Sequence, residues 1–317
     1  MTDSTYTNGV IAVKEQKLLR DKLLRFTEMS AEEAFRALVE SGYGSGAEAS
    51  SVYDFEKLIA AEEQATDAFI RTYAPSDAEL HYFFAPRDYH NAKALLKAEY
   101  LGTDGEKMLA PEGCIPIETI KSALQTGKGL PQDLQETIAK GRAVLQESGS
   151  GAKLGIVFEQ GLYAHLAAVC KKNKTLRRLV ARRADTINIL VAMRAGEEKS
   201  ANEMYVSGGS LKEKQLCALF EGEEKALSAF SDTPYESLVR SCLDAKVQGK
   251  PFSDGERMAE SAEAEYFESE RYSLEGEHPF LAYSLRRRNE NANVRIVFVC
   301  LLAGMPAIEI KKRLRAY

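Results

Sequence analysis

Apolar side chains recur with a helical period along most of the chain. In residues 11–27, 53–72 and 162–184 they return at every third or fourth position, with charged side chains between them. This period predicts amphipathic helices. Ser30 and Glu33 match the capping box that begins a helix, because each side chain can bond to the backbone N–H of the other residue.

Only two short apolar runs could pass for buried strands, residues 154–158 and 296–302. Residues that favour helices flank both runs, so we assign them to helices as well. The pattern therefore predicts an all-α protein.

A polar motif interrupts the helical pattern three times. It is an acid followed three positions later by asparagine, and we call it a polar step. The steps are Asp88 with Asn91, Asp185 with Asn188, and Glu290 with Asn293, spaced roughly a hundred residues apart. After each step the same apolar rhythm returns in a short helix, starting at Pro116, Lys212 and Pro306. Recurrence in order at a near-constant period indicates internal repeats. We predict three helical units, 1–127, 128–222 and 223–317.

A polar step places its two side chains on one face of a helix, since positions three apart are neighbours there. One interpretation is a metal or acid–base site. Another is a polar contact that joins elements and sets their register, because buried polar groups need partners. Asp88 could also cap a helix that begins after Pro86. We favour a structural contact, since a single Asp–Asn pair is a poor metal site.

Composition narrows the range of functions. The 317 residues have a net charge of −5, which disfavours a dedicated nucleic-acid binder. The longest uncharged apolar run, residues 296–308, is shorter than the about twenty residues of a membrane span. The five cysteines are scattered and no secretory signal is visible, so we expect a soluble protein in the cytoplasm. We find no phosphate loop, no nucleophile elbow and no two histidines four positions apart, and we predict no cofactor.

Basic side chains cluster at residues 171–183, 286–288 and 311–315. Such clusters are usually solvated helix faces. The alternative is a surface that docks electrostatically onto a partner or an anionic surface.

The C-terminal stretch is the most specific part of the sequence. It contains His-Pro-Phe-Leu-Ala-Tyr at 278–283, Arg287, the step at 290–293 followed by Val-Arg-Ile, Gly-Met-Pro at 304–306, and a closing helix that ends Leu-Arg. This resembles the closing motif of the C subunit of the bacterial and archaeal V-type (A-type) ATPases, whose counterpart in the vacuolar ATPase is the d subunit. Residues 88–93, Asp-Tyr-His-Asn-Ala-Lys, resemble an internal segment of the same family. The middle step departs from that pattern, with Leu190 where the other two steps have a basic residue.

The resemblance implies three similar helical domains in a pseudo-threefold funnel. It also implies a non-catalytic rotor subunit on the cytoplasmic face of the membrane. Such a subunit links the shaft subunits to the proteolipid ring, touches the membrane through that ring only, and transmits torque between ATP turnover and proton or sodium transport. The family supplies no nucleotide-binding or ion-binding residues for this subunit. We expect a structural or docking role on the inner helices of the units for Asp88, Asn91, Lys93, Asp185, Asn188, Glu290, Asn293 and Arg295.

Two other hypotheses remain open at this point. A helical-repeat scaffold with unrelated partners would explain the three units and the absence of catalytic motifs, but it would not explain the C-terminal motif. An all-α enzyme with a metal held by the polar steps would make those steps catalytic.

Overall fold

The computed structural model describes residues 4–269 and 278–316, and all regular secondary structure within these ranges is helical. The predicted all-α fold is therefore confirmed. In chain order the α-helices are α1 Ser4–Glu15, α2 Asp21–Phe26, α3 Ala31–Glu40, α4 Phe55–Tyr73, α5 Asp77–Leu101, α6 Ile117–Thr126, α7 Gln132–Ser148, α8 Gly151–Val169, α9 Lys174–Arg194, α10 Glu198–Asn202, α11 Glu213–Ala218, α12 Glu223–Phe230, α13 Glu236–Val247, α14 Ser253–Ser269, α15 His278–Leu302 and α16 Ala307–Arg313. Short 3-10 turns occupy Val52–Asp54, Glu106–Met108 and Cys170–Lys172.

The chain divides into two compact units. The central unit comprises Ser76–Gly255 and contains α5 to α13. The terminal unit combines Met1–Pro75 with Glu256–Tyr317, so the two ends of the chain belong to one unit. The boundaries 1–127, 128–222 and 223–317 stay a prediction.

The terminal unit is built around α15, which packs against α4, α1 and the short helices α2 and α3. Its core is aromatic where α15 meets α3 and α4. The Phe298 ring stacks on Phe55, with 5.5 Å between ring centroids, and meets Phe35 edge to face at 6.4 Å. Burial of these rings stabilises the unit by removing large apolar surfaces from water.

The central unit is built around α5, α7 and α8, which pack against one another, with α9 packed on α8. Leu96 of α5, Leu134 of α7 and Phe158 of α8 are buried in one apolar cluster. The amino-terminal caps also follow the expected chemistry. The capping box of Ser30 and Glu33 is confirmed at the start of α3, and Ser76 with Glu79 forms a second one at the start of α5.

Three local expectations are wrong. Residues 11–27 are not one helix, because α1 ends at Glu15 and α2 begins at Asp21. Residues 162–184 are not one helix, because a 3-10 turn ends α8 and Asn173 caps a new helix, accepting the N–H of Leu176 at 2.9 Å. The Asn173 amide also donates to Glu79 at 2.8 Å, a partner 94 positions away. Asp88 is not a helix cap, because Pro86 lies inside α5 and the helix continues through it.

The three short helices begin where the repeat pattern predicted. Pro116, Lys212 and Pro306 are the residues immediately before α6, α11 and α16. The ends of α5 and α15 are also alike. Each has a left-handed glycine, followed by a residue whose N–H bonds to a carbonyl five positions earlier. These bonds are Thr103 to Ala98 and Met305 to Cys300, both 3.0 Å, at Gly102 and Gly304.

Candidate functional site

The asparagine of each polar step binds the backbone of one residue that follows its helix. Its side-chain oxygen accepts that residue's N–H, and its side-chain NH2 donates to the same residue's carbonyl. The pairs, with N–H and carbonyl distances in that order, are Asn91 with Ala110 at 2.8 and 3.2 Å, Asn188 with Val206 at 2.9 and 3.0 Å, and Asn293 with Arg315 at 2.8 and 2.9 Å. Each asparagine thus mimics a strand partner for an otherwise unpaired loop residue.

In the central unit, the acid of each step accepts two consecutive backbone N–H groups slightly further along the same loop. Asp88 accepts from Cys114 at 2.9 Å and Ile115 at 3.1 Å. Asp185 accepts from Ser210 at 2.8 Å and Leu211 at 3.0 Å, and also takes the Ser210 hydroxyl at 2.6 Å. One step therefore attaches a loop at two points, through four or more hydrogen bonds.

A glycine precedes these N–H donors in both loops. A Cβ atom at Gly113 would lie 2.2 Å from the Asp88 Oδ1 atom, and one at Gly209 would lie 2.4 Å from the Asp185 Oδ1 atom. Real Cβ atoms do not approach oxygen so closely, so both loops need glycine there to reach their carboxylate.

The acid of the third step binds a backbone segment from the other end of the chain. Glu290 accepts the backbone N–H of Leu19 at 2.5 Å, and that of Arg20 as well. These residues connect α1 to α2, and Arg20 has a positive φ of 44°. The gap between α15 and α16 is short, so it provides no loop like the other two. The longer glutamate side chain and the N-terminal segment take that place.

Buried hydroxyl and guanidinium groups complete the surroundings of two steps. The Tyr235 hydroxyl donates to Asp185 at 2.8 Å, and the Tyr43 hydroxyl donates to Asn291, next to Glu290, at 2.8 Å. Arg287 binds Glu290 at 2.5 Å and is itself almost fully buried. The spacing of the polar steps indicates neither of these tyrosine contacts.

Burial affects the titration of Asp88 and Glu290. It raises the pKa of the Asp88 carboxyl above its usual value, although the N–H groups of Ile115 and Cys114 oppose this. It raises the pKa of Glu290 to about 7, and the charge of Arg287 opposes it in the same way. These acids lie in structural surroundings with their oxygens already occupied by donors.

The basic residues of the steps differ from each other. Arg295 forms ion pairs with Glu56 at 2.9 Å and Glu63 at 3.3 Å, both on α4. Lys93 is half-buried and forms no ion pair with the residues that the structure describes. The first two steps lie on separate helices, α5 and α9, and bind separate loops, so the predicted residues form separate anchors and not one joint site. Among residues 4–269 and 278–316, no three His, Cys, Asp or Glu side chains are grouped as metal ligands.

Sequence reasoning missed a polar network in the central unit. His81 of α5 and His165 of α8 face each other, with 3.0 Å between Nδ1 and Nε2. His165 also binds Asp133 of α7, and the Tyr89 hydroxyl donates to the same carboxylate at 3.4 Å. Burial and the neighbouring His165 lower the pKa of His81. The residues of the network are far apart in sequence and follow no fixed spacing, so no local pattern could have shown it.

None of the helices in the described part of the chain combines the length and the apolar character needed to cross a membrane.

Comparison with known proteins identifies one family. The family of the ATP synthase (C/AC39) subunit matches residues 7–313. The chain is similar to the V-type ATP synthase C subunit of Thermus thermophilus, with 23% identity over 249 residues that cover 74% of this chain and 77% of the relative. It is 23% identical to the V-type ATP synthase C subunit of Deinococcus radiodurans over 342 aligned positions, which cover 99% of this chain and 92% of the relative. It is 21% identical to the V-type sodium ATPase C subunit of Enterococcus hirae over 273 residues, which cover 83% of this chain and 82% of the relative.

Proposed function

Because the chain belongs to the ATP synthase (C/AC39) subunit family and is a V/A-type ATPase subunit, we propose that it is a non-catalytic part of the central stalk. In this role it links the shaft subunits to the proteolipid ring of the membrane. It rotates with both and transmits torque between ATP turnover and the transport of protons or sodium ions. Its place is on the cytoplasmic face, with three helical domains arranged as a funnel.

The observation that supports this role is the repeated anchoring of loops by the polar steps. A coupling element must be stiff, because a soft joint absorbs the twist that it should transmit. Loops are the soft parts of an all-helical protein. Here α5 and α9 each hold one loop through two buried side chains, and α15 holds two separate segments through Glu290 and Asn293. Each asparagine pairs with both backbone groups of one residue.

The polar steps favour a single arrangement of the loops that they bind, since almost all of their polar atoms are paired. Asp185, Asn188, Glu290 and Asn293 are each at most 5% exposed. A buried polar group that loses its partner costs about 1–3 kcal/mol, so each anchored loop has a strong preference for one position. Fully paired buried networks specify a single arrangement, which suits a mechanical part better than a flexible regulator.

The proposal assigns no catalytic group to this chain. Both oxygens of Asp88 and of Asp185 accept hydrogen bonds from backbone N–H or hydroxyl groups, which leaves these acids poorly placed as bases or metal ligands. ATP chemistry and the ion path then belong to other subunits of the complex.

The decisive experiment is an affinity purification of the tagged chain from membranes of its native host, with the partners identified by mass spectrometry. We expect the shaft subunits, the head subunits that bind nucleotide and a proteolipid. Recovery of this chain alone, or with unrelated soluble partners only, would refute the rotary function and favour a helical scaffold.

A functional measurement completes the test. In sealed vesicles that contain the complex, depletion of this chain should abolish ATP-driven ion transport while the head subunits keep their ATPase activity. Full transport without the chain would contradict its role as the link.

A further inference from the structure

The central unit has a strongly basic surface at the start of α9. We call it the cationic face and define it by Lys171, Lys172, Lys174 and Arg177. All four side chains are exposed, and none forms an ion pair with a described residue. Lys174 and Arg177 are three positions apart and share one side of α9, while the two lysines before them lie in the 3-10 turn that precedes this helix. The break at Asn173 thus adds two cations to those of the helix.

These charges do not serve the stability of the helix. The amino end of a helix is the positive end of its dipole, where acids stabilise and cations destabilise. Helices α5 and α7 follow this rule, with Asp77 and Asp133 in their first turns, whereas α9 has no acid in its first turn. A cluster of cations that opposes the local preference and lacks acidic partners points to a binding partner outside the chain.

The composition of the face shows which kind of partner it fits. Between residues 170 and 181 every exposed position is basic, while Leu176, Leu179 and Val180 are buried. The fifth exposed position, Arg178, has an interaction of its own. Protein–protein interfaces rely on buried aromatic and aliphatic anchors and contain few lysines in their centre. A face of exposed lysines and one arginine, without any apolar anchor, instead suits a diffuse anionic surface.

We propose that the cationic face binds the anionic headgroups of a phospholipid bilayer. This inference rests on the proposed position of the protein on the cytoplasmic face of the membrane, and it departs from the expectation that the chain touches the membrane through the ring only. The whole chain has a net charge of −5, so an anionic bilayer repels the chain as a whole while it attracts this face. The contact would therefore orient the protein as well as hold it. Each cation near such a surface contributes about a fivefold increase in the partition coefficient.

The test is sedimentation of the purified full-length chain with vesicles at low salt. One set of vesicles contains phosphatidylglycerol in phosphatidylcholine, and the other contains phosphatidylcholine alone. We expect binding to the first set only. The double variant Lys171→Gln/Lys172→Gln should reduce the partition coefficient about 25-fold, since two cations are removed.

A matched control removes the same charge elsewhere. Lys311 and Lys312 are also exposed lysines, but each is paired, with Glu28 at 2.5 Å and with Glu309 at 2.8 Å. The double variant Lys311→Gln/Lys312→Gln has the same net charge as the first variant, and should bind the anionic vesicles nearly as well as the unmodified chain. Circular dichroism would establish that both variants remain folded.

Three results would overturn the proposal. They are no binding of the unmodified chain to anionic vesicles, equal binding to both sets, or an equal loss of binding in the two double variants. A loss of protein partners from native membranes in Lys171→Gln/Lys172→Gln, without vesicle binding by the unmodified chain, would assign the face to an acidic protein instead. Failure of lipid binding leaves the pull-down test of the rotary function unaffected, so the two conclusions can fail separately.

Discussion

Removal of a single step asparagine should loosen one loop of the central unit strongly. In Asn188→Ala the side chain that pairs with both backbone groups of Val206, at 2.9 and 3.0 Å, is lost. Val206 is only 5% exposed, so water cannot easily replace either bond. Two hydrogen bonds worth about 1 kcal/mol each are lost, and each group left unpaired in a buried position raises the cost towards 1–3 kcal/mol. The expected loss in the free energy of unfolding is about 2–5 kcal/mol.

The matched control is Asn202→Ala, the same chemical change at an exposed position of α10 in the same unit. This substitution should change stability by less than about 0.5 kcal/mol, because exposed sites without special contacts tolerate change. Urea unfolding followed by circular dichroism gives the difference between the two variants. Hydrogen exchange gives the local effect, since the Val206 amide should lose its protection in Asn188→Ala only.

The reasoning is refuted if Asn188→Ala and Asn202→Ala unfold at the same urea concentration with the same slope. It is also refuted if the Val206 amide remains equally protected in both. Either result would mean that the loop is held by its apolar contacts and that the asparagine is dispensable.

Three further predictions concern the other anchors and the histidine network. Asn91→Leu and Asn293→Leu should weaken assembly or coupling while nucleotide affinity of the catalytic subunits stays the same; unchanged assembly and unchanged ATP-driven pumping in both would contradict this. Gly113→Ala should destabilise the central unit by more than about 1 kcal/mol, because its Cβ would lie 2.2 Å from Asp88. The control Gly155→Ala in α8 should be neutral or stabilising, because no atom lies within 4 Å of its Cβ. Equal melting temperatures of the two variants would refute the steric argument. Because the pKa of His81 is lowered in the folded state, the unfolded state takes up its proton first as the pH falls. Stability is therefore highest above about pH 6.5 and declines below it. His81→Gln should reduce that decline in urea unfolding at successive pH values and the exposed His90→Gln should not, and identical pH dependence in all three proteins would disprove the assignment.

Much of the candidate site could be found without coordinates. The polar steps stand out because two polar side chains interrupt an apolar helix at the same spacing three times, and their repetition is visible in sequence order. The correspondence between residues 108–114 and 204–210 is also visible there, and it pairs Ala110 with Val206 and Cys114 with Ser210. Those residues are the backbone partners of the first two steps.

The third step shows where this reasoning stops. Nothing in the spacing around Glu290 indicates that Leu19, 271 positions away, donates to it. That contact depends on the packing of α1 and α2 against α15, which brings the two ends of the chain together. The same limit applies to Asn173, whose bond to Glu79 accompanies a helix break that the apolar period did not predict.

The sequence by itself determined the helices, several caps and the repeated steps, because these depend on neighbours within a few positions. A helix bonds each N–H to a carbonyl four residues earlier, and its apolar face repeats with the same period. Tertiary structure alone decided the partners of Glu290, the contact between His81 and His165, and the exposure of the cationic face. Those features depend on how distant segments pack and on which groups packing removes from water, and no local period encodes either.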